Sequence, residues 1–177
     1  MVNGRRPFIL WIFGLPSAGK TTLAQRVHIH LAAKGEPSVL LDGDDLRRGL
    51  CEGLGFSNRD REENLRRAAE VAALGARSGV SSVVAMITPL NTQRAIISRI
   101  LSGFPLHWVW LSCPLTTCIK RDVKGLYQKH SQNANSMMTG LHSPFEPPHD
   151  NALNLDTSEL SVDDAVELIM TYLDRGN

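Results

Sequence analysis

The chain has 177 residues, enough for one sizeable core, and its 42% hydrophobic and 21% charged residues are those of an ordinary globular domain. A net charge of +1 excludes a generic polyanion-binding surface, so no nucleic-acid partner is expected and any anion must be held by a local site. The N-terminal stretch MVNGRRPFILWIFG has an apolar run too short for a membrane span, and it leads into a glycine-rich loop, not a cleavage site. It predicts a cytoplasmic protein with no targeting segment and no membrane partner. Cys51, Cys113 and Cys118 are odd in number and form no CxxC pair, which points away from a disulfide framework or a zinc site. His28 and His30, two apart, cannot share a helix face and read as surface residues.

Apolar runs and helical stretches alternate along the chain. Phe8 to Phe13 reads as a buried strand, and Lys20 to Lys34 as a helix with Leu23, Val27 and Leu31 at helical spacing. Val39 to Leu41 is a second, short strand. Asp60 to Ser78 has a capping-type start at Ser57 or Asp60 and helical periodicity through Leu65, Ala69, Ala72 and Ala76. Val80 to Ile87 is a third strand, Gln93 to Leu101 a helix and Leu106 to Leu111 a fourth strand, with a further helix starting after Pro114. From His130 to Asn151 the chain turns polar and holds three prolines, which predicts a long loop of the lid or binding kind. Asn151 to Leu155 is a last short strand, and Ser161 to Leu173 a closing amphipathic helix. This alternation predicts a single α/β domain, residues 1–177, with a mostly parallel sheet covered by helices on both faces.

The segment Gly14-Leu-Pro-Ser-Ala-Gly19-Lys20-Thr21 fits GxxxxGK[ST] at every position and lies between a predicted strand and a predicted helix. Glycines at those places let backbone N–H groups point inward at phosphate oxygens, and the helix N-terminus adds partial positive charge. The sequence therefore predicts a binder of ATP or GTP, with Gly14, Ser17, Ala18, Gly19 and Thr22 around the phosphates. Lys20 reaches the β- and γ-phosphates as a catalytic group, and Thr21 ligates Mg²⁺. The base-reading NKxD segment of a GTPase does not occur. A short chain with a late polar loop points to a small-molecule kinase.

The second strand ends at Asp42, at the head of LDGDDLRRGL, which puts its carboxylate at the carboxyl edge of the sheet near the phosphate loop. There it can orient or deprotonate an attacking hydroxyl, or support the metal. Downstream, Arg61 and Asn64 are three apart and share a helix face, a fork and an amide suited to an anionic substrate with hydrogen-bonding edges. Phe56, in a glycine-rich turn, offers a stacking face for a base. Taken singly, each has a plainer reading, Phe56 as a core residue and the charges as helix-surface pairs worth about 0.2–0.5 kcal/mol.

Together, GLPSAGKTT, LDGDDLR, GLGFSNRDREENLRR, the ITP turn at 87–89 and CIKRDVKGLY, closed by TGLHSPFEPP, resemble the adenylylsulfate (APS) kinase family almost end to end. The resemblance implies a three-layer P-loop kinase fold that transfers the γ-phosphoryl of MgATP to the ribose 3′-hydroxyl of adenylylsulfate, giving PAPS. It makes Asp42 the catalytic aspartate near that hydroxyl. Asp44, Arg47, Arg61 and Asn64, with Ile87 and Thr88 of the turn, would hold the acceptor, and Phe56 would stack on its base. Arg121 and the segment around Lys124 would lie near ATP and the hinge of a lid spanning about 124–150. Asp45 and Arg48 are left to solvent. The family also implies scope for a homodimer.

The family pattern breaks in two places. Its ISP turn is ITP here, with Thr88 keeping the hydroxyl, and of the aromatic and basic residues that follow only Arg94 remains in LNTQR. Its lid resembles ARxGEIKxFTG, whereas residues 130–140 read HSQNANSMMTG, with Ser131 for the arginine, Ser136 near the lysine and Met138 for the base-covering phenylalanine. No lysine or arginine occurs from His130 to Asp174. Beside the APS kinase reading stand two others. One is a sister kinase acting on another activated nucleotide, such as a cytidine nucleotide of the CDP-phosphoramidate kind. The other is a catalytically silent regulatory subunit.

Overall fold

The structure, a computed structural model, describes residues 6–122, 125–131, 138–149 and 151–176, the side chain of Ser131 excepted. Lys124 and Ser136, singled out in the sequence, lie outside the described residues.

Five strands form one sheet in the order β2-β3-β1-β4-β5, and every ladder is parallel. The strands are β1 (Ile9–Gly14), β2 (Ser38–Asp42), β3 (Ser81–Ala85), β4 (Leu106–Leu111) and β5 (Ala152–Leu155). The sequence predicted a mostly parallel sheet, and it is wholly parallel because successive strands are joined by helical crossovers. β1 is central and buried along its whole length. That is why ILWIF is an uninterrupted apolar run and does not alternate.

Helices cover both faces. Helix α1 (Lys20–Ala33) and α7 (Val162–Arg175) pack on one side, with Leu23, Val27, Leu31, Ile169 and Leu173 meeting Phe8, Leu10 and Ile12. On the other side, α3 (Asn58–Arg77) and α4 (Asn91–Ile100) present Ala68, Ala69, Ala72, Ala73 and Ile97 to Ile9, Trp11 and Phe13. The alanine stripe of α3 lets that helix lie close to the sheet. Its start is Ser57, one of the two caps considered, whose hydroxyl accepts the Asp60 N–H at 3.2 Å.

Three short helices lie outside the predicted core pattern. Helix α5 (Leu115–Arg121) begins where Pro114 placed it. Helix α2 (Gly43–Arg48) was not foreseen, because GDDLRR has no apolar period; its cause is Asp42, whose carboxylate caps it by accepting the Asp44 N–H at 2.9 Å. Helix α6 (Leu126–Ser131) takes up the first residues of the stretch expected to be loop.

Candidate active site

Sheet order places the site. Connections leave β1 toward β2 on one side and return past it to β4 on the other, so the carboxyl end of β1 is a switch point where a crevice opens. The phosphate loop occupies that end. Gly14 packs so closely that an added Cβ would lie 2.7 Å from the Leu111 carbonyl oxygen, which admits glycine alone. Ser17 and Gly19 take left-handed φ values of 61° and 97°, the alternation that turns successive N–H groups inward. Lys20 Nζ donates to the Leu15 carbonyl at 2.7 Å, which folds the ammonium over the loop.

Two further contacts hold the loop from behind. The Tyr127 hydroxyl donates to the Pro16 carbonyl at 3.0 Å, and Thr157 Oγ1 donates to the Ala18 carbonyl at 2.9 Å. Burial pushes the Tyr127 phenol upward, keeping it a neutral donor. Arg121 grips Thr157 in turn, Nη2 to its carbonyl at 2.5 Å and Nη1 to its hydroxyl at 3.1 Å. Arg121 thus reaches the loop through Thr157. Neither Thr157 nor Tyr127 was singled out as a site residue; RDVKGLY contained Tyr127, while nothing local marks Thr157. Cys118 lies beneath, its thiol pushed up to about 12 by burial and by Cys113, so it is an inert packing group.

The residues expected on the acceptor side begin at Asp42, 6% exposed, at the end of β2. Its Oδ2 accepts from Thr21 Oγ1 at 2.7 Å, while Oδ1 holds the Asp44 N–H. One carboxylate therefore joins the helix of the phosphate loop to the start of α2. From α2, Arg47 donates to the Leu54 and Gly55 carbonyls at 3.3 and 2.8 Å, and its guanidinium lies 4.7 Å from the centre of the Phe56 ring. Phe56 is 64% exposed, which sets aside its reading as a core residue. Arg61 Nε donates to the Phe56 carbonyl at 2.9 Å. Burial and the neighbouring Arg47 charge both pull the Arg61 pKa down, so two guanidinium groups converge on one place. Asn64 is 4% exposed, and its Oδ1 has no hydrogen-bond partner among the described residues. Asp44 is exposed at the mouth, and Asp45 and Arg48 pair with each other on the solvent face.

The family is decided by comparison with known proteins. A sequence model described as adenylylsulphate kinase matches residues 6–156. The chain belongs to the adenylylsulphate kinase family. A probable adenylyl-sulfate kinase of Halalkalibacterium halodurans is 43% identical over 97% of this chain and 85% of its own length. The adenylyl-sulfate kinase of Marinobacter nauticus is 39% identical over 97% and 86%. Among solved structures, the APS kinase of Mycobacterium tuberculosis in complex with AMPPNP and APS superposes with a TM-score of 0.92 at 36% identity, covering 97% of this chain and 99% of that one.

Two of the residues expected around the acceptor are buried in this adenylylsulphate kinase. Thr88 has a left-handed φ of 45°, and its hydroxyl, 1% exposed at the residue level, accepts from Trp11 Nε1 at 2.9 Å. It faces the core, and the Ile87 carbonyl of the same turn takes the Gly14 N–H at 3.3 Å. The Thr88 carbonyl is held by Arg94 Nη1 at 2.7 Å, and Arg94 Nη2 reaches the Glu146 carbonyl at 2.7 Å. Met138, expected over the base, is 6% exposed and packs in the α1–α7 core cluster.

Proposed function

We propose that this adenylylsulphate kinase transfers the γ-phosphoryl of ATP to the ribose 3′-hydroxyl of adenylylsulfate, giving PAPS and ADP. The observation that carries the reading is the Thr21–Asp42 bond, which brings a buried carboxylate of the acceptor side onto the phosphate-loop helix. Opposite it, Arg47 and Arg61 suit an anion, the exposed Phe56 ring suits a base, and the open acceptor on Asn64 suits a donor such as an exocyclic amine. APS and AMPPNP are the ligands of the M. tuberculosis relative.

The role of each residue is part of the proposal. The loop amides from Ser17 to Thr22 and the Lys20 ammonium hold the triphosphate and stabilise charge on the moving group. Thr21 and Asp42 present two oxygens 2.7 Å apart, a hard donor pair that fits Mg²⁺ with phosphates and water completing the shell. The ion, when bound, neutralises charge on the β- and γ-phosphates. Asp42 receives or orients the hydroxyl proton. Arg47, Arg61 and Asn64 orient the acceptor, with Ile87 and Thr88 contributing backbone, Asp44 at the mouth and Arg121 bracing the ATP side through Thr157. Residues 1–177 form one catalytic domain, with 124–150 as its lid.

A cytoplasmic setting is part of the same reading: all three cysteines are free and buried, as in proteins of reducing compartments. No helix among the described residues is long and apolar enough to cross a membrane. Self-association is proposed at the level of a homodimer, checked by sedimentation against the 19.5 kDa chain mass.

The test is ADP release from MgATP with adenylylsulfate and, in parallel, a cytidine diphosphate analogue at equal micromolar concentrations. Faster turnover of adenylylsulfate supports the proposal. Faster turnover of the cytidine nucleotide replaces it with the sister-kinase reading, and silence with both favours a regulatory subunit.

A further inference from the structure

Arg61 makes a long-range contact that the acceptor reading leaves unused. Its Nη1 donates to Thr139 Oγ1 at 2.8 Å, across 78 positions of sequence. Thr139 is 1% exposed and opens a tight turn. The Met138 carbonyl accepts from the N–H groups of Leu141, His142 and Ser143 at 3.2, 2.9 and 3.1 Å, and Gly140 N–H donates to the Ser143 carbonyl at 2.9 Å. Thr139 also bridges to Ser143, and the Met138 side chain is rooted in the core. The hydroxyl that Arg61 meets is therefore a fixed point.

A planar guanidinium held at Nε by one carbonyl and at Nη1 by a fixed hydroxyl cannot rotate without losing one of the two bonds. That constraint has a purpose here. Arg47 and Arg61 carry like charges toward one place, and before an anion arrives they repel. A side chain free to turn away would have to be brought back when the acceptor binds, at the expense of affinity.

We infer that Thr139 is a positioning residue, its hydroxyl holding the Arg61 guanidinium in the orientation that receives the acceptor anion. The inference rests on the proposed placement of Arg61 in the acceptor site. It assigns to Thr139, at the far end of the polar segment, a task in substrate recognition.

The experiment is steady-state kinetics of the full chain carrying Thr139→Val or Thr139→Ser, each also combined with Arg61→Lys. Valine keeps the shape and removes the acceptor oxygen. The expected result is a rise in KM for adenylylsulfate of about tenfold, the low end for losing a hydrogen bond to a charged group, with kcat and the ATP KM unchanged within about twofold. Serine restores the wild-type value. With lysine at 61 the valine effect falls below about twofold, because the two changes remove the same interaction. An unchanged acceptor KM, a parallel rise in both KM values, or a full valine effect in the lysine background overturns the inference.

A second readout does not depend on the acceptor. In nitrogen-detected NMR of the ligand-free protein, the Arg61 Nη resonances are resolved and slowly exchanging in wild type and Thr139→Ser, and averaged in Thr139→Val. If wild type leaves adenylylsulfate untouched, the functional reading fails on its own, and these resonances decide the role of Thr139. Resolved signals that persist in the valine variant overturn it.

Discussion

Thr21 Oγ1 donates to Asp42 Oδ2 at 2.7 Å, joining the first turn of α1 to the end of a strand two places away in the sheet. Asp42 is also the N-cap of α2, so one side chain combines the proposed catalytic position with a folding role. The two are separable, because asparagine remains a good cap while it cannot take a proton. Asp42→Asn is expected to lower kcat by about 10²–10⁴ with ATP affinity nearly intact. Asp42→Ala is expected to cost about 0.5–2 kcal/mol of stability in addition. Turnover measured by ADP release beside urea unfolding of both variants checks this, and unchanged turnover in the asparagine variant removes Asp42 from the chemistry.

Phe56 gives the converse case. Its ring is 64% exposed and lies against the Arg47 guanidinium, so the fold gains little from it. Phe56→Ala should change stability by no more than about 0.5 kcal/mol. If the ring stacks on the acceptor base, the same change raises the acceptor KM by an amount equivalent to about 1–3 kcal/mol and leaves the ATP KM alone. Comparable rises in both constants would place Phe56 outside the acceptor site.

The parts of the molecule legible in sequence are those whose physics is local. GxxxxGK[ST] is readable because the loop needs its glycines at fixed offsets, and β4 was found at its observed bounds because an apolar run of that length closes between Pro105 and Pro114. The placement of Asp42 at the end of β2, and of Arg61 and Asn64 on α3, followed from strand-end and helix-face arguments that hold for any α/β sheet. What was missed depends on long separations. Thr88 to Trp11 spans 77 positions, Thr157 to Ala18 spans 139, and the burial of Met138 is decided by a cluster assembled from the whole chain. A hydroxyl in sequence does not reveal whether it faces a substrate or an indole.

Acid stability has a defined contributor beside the acceptor loop. Glu63 accepts from Arg66 Nε and Nη2 at 2.7 and 3.0 Å and from Arg67 Nε at 2.8 Å, and these bonds hold its pKa at about 2, below the ordinary 4.5. A depressed carboxylate stabilises the fold fully above its unfolded value and loses that contribution as pH falls from about 4.5 through about 2. The group is partly solvated, so the gain is that of a screened pair, about 0.2–1 kcal/mol. Glu63→Gln should therefore be less stable than wild type by that amount near neutrality, and the gap should close across this window. Urea unfolding of both proteins at stepped pH measures it; a gap that stays constant to the acid end assigns the difference to packing.

The Thr88 turn separates folding from recognition at a single residue. Trp11 Nε1 is buried and its partner is Thr88 Oγ1 at 2.9 Å, so Thr88→Val leaves an indole N–H unmet at an expected loss of about 1–3 kcal/mol. Thr88→Ser keeps the oxygen and should lie near wild type. Thr88→Gly loses the same bond, but glycine relieves the φ of 45°, a strain of about 1–3 kcal/mol in a β-branched residue, and should fall between the two. Arg94 still holds the carbonyl of residue 88 in all three, so the turn keeps its path. The acceptor KM of the valine variant should then stay within about twofold of wild type even as its unfolding midpoint drops. A tenfold rise in that KM would mean that the hydroxyl leaves Trp11 to meet the acceptor, and the turn would be a recognition element by side chain as well as by backbone.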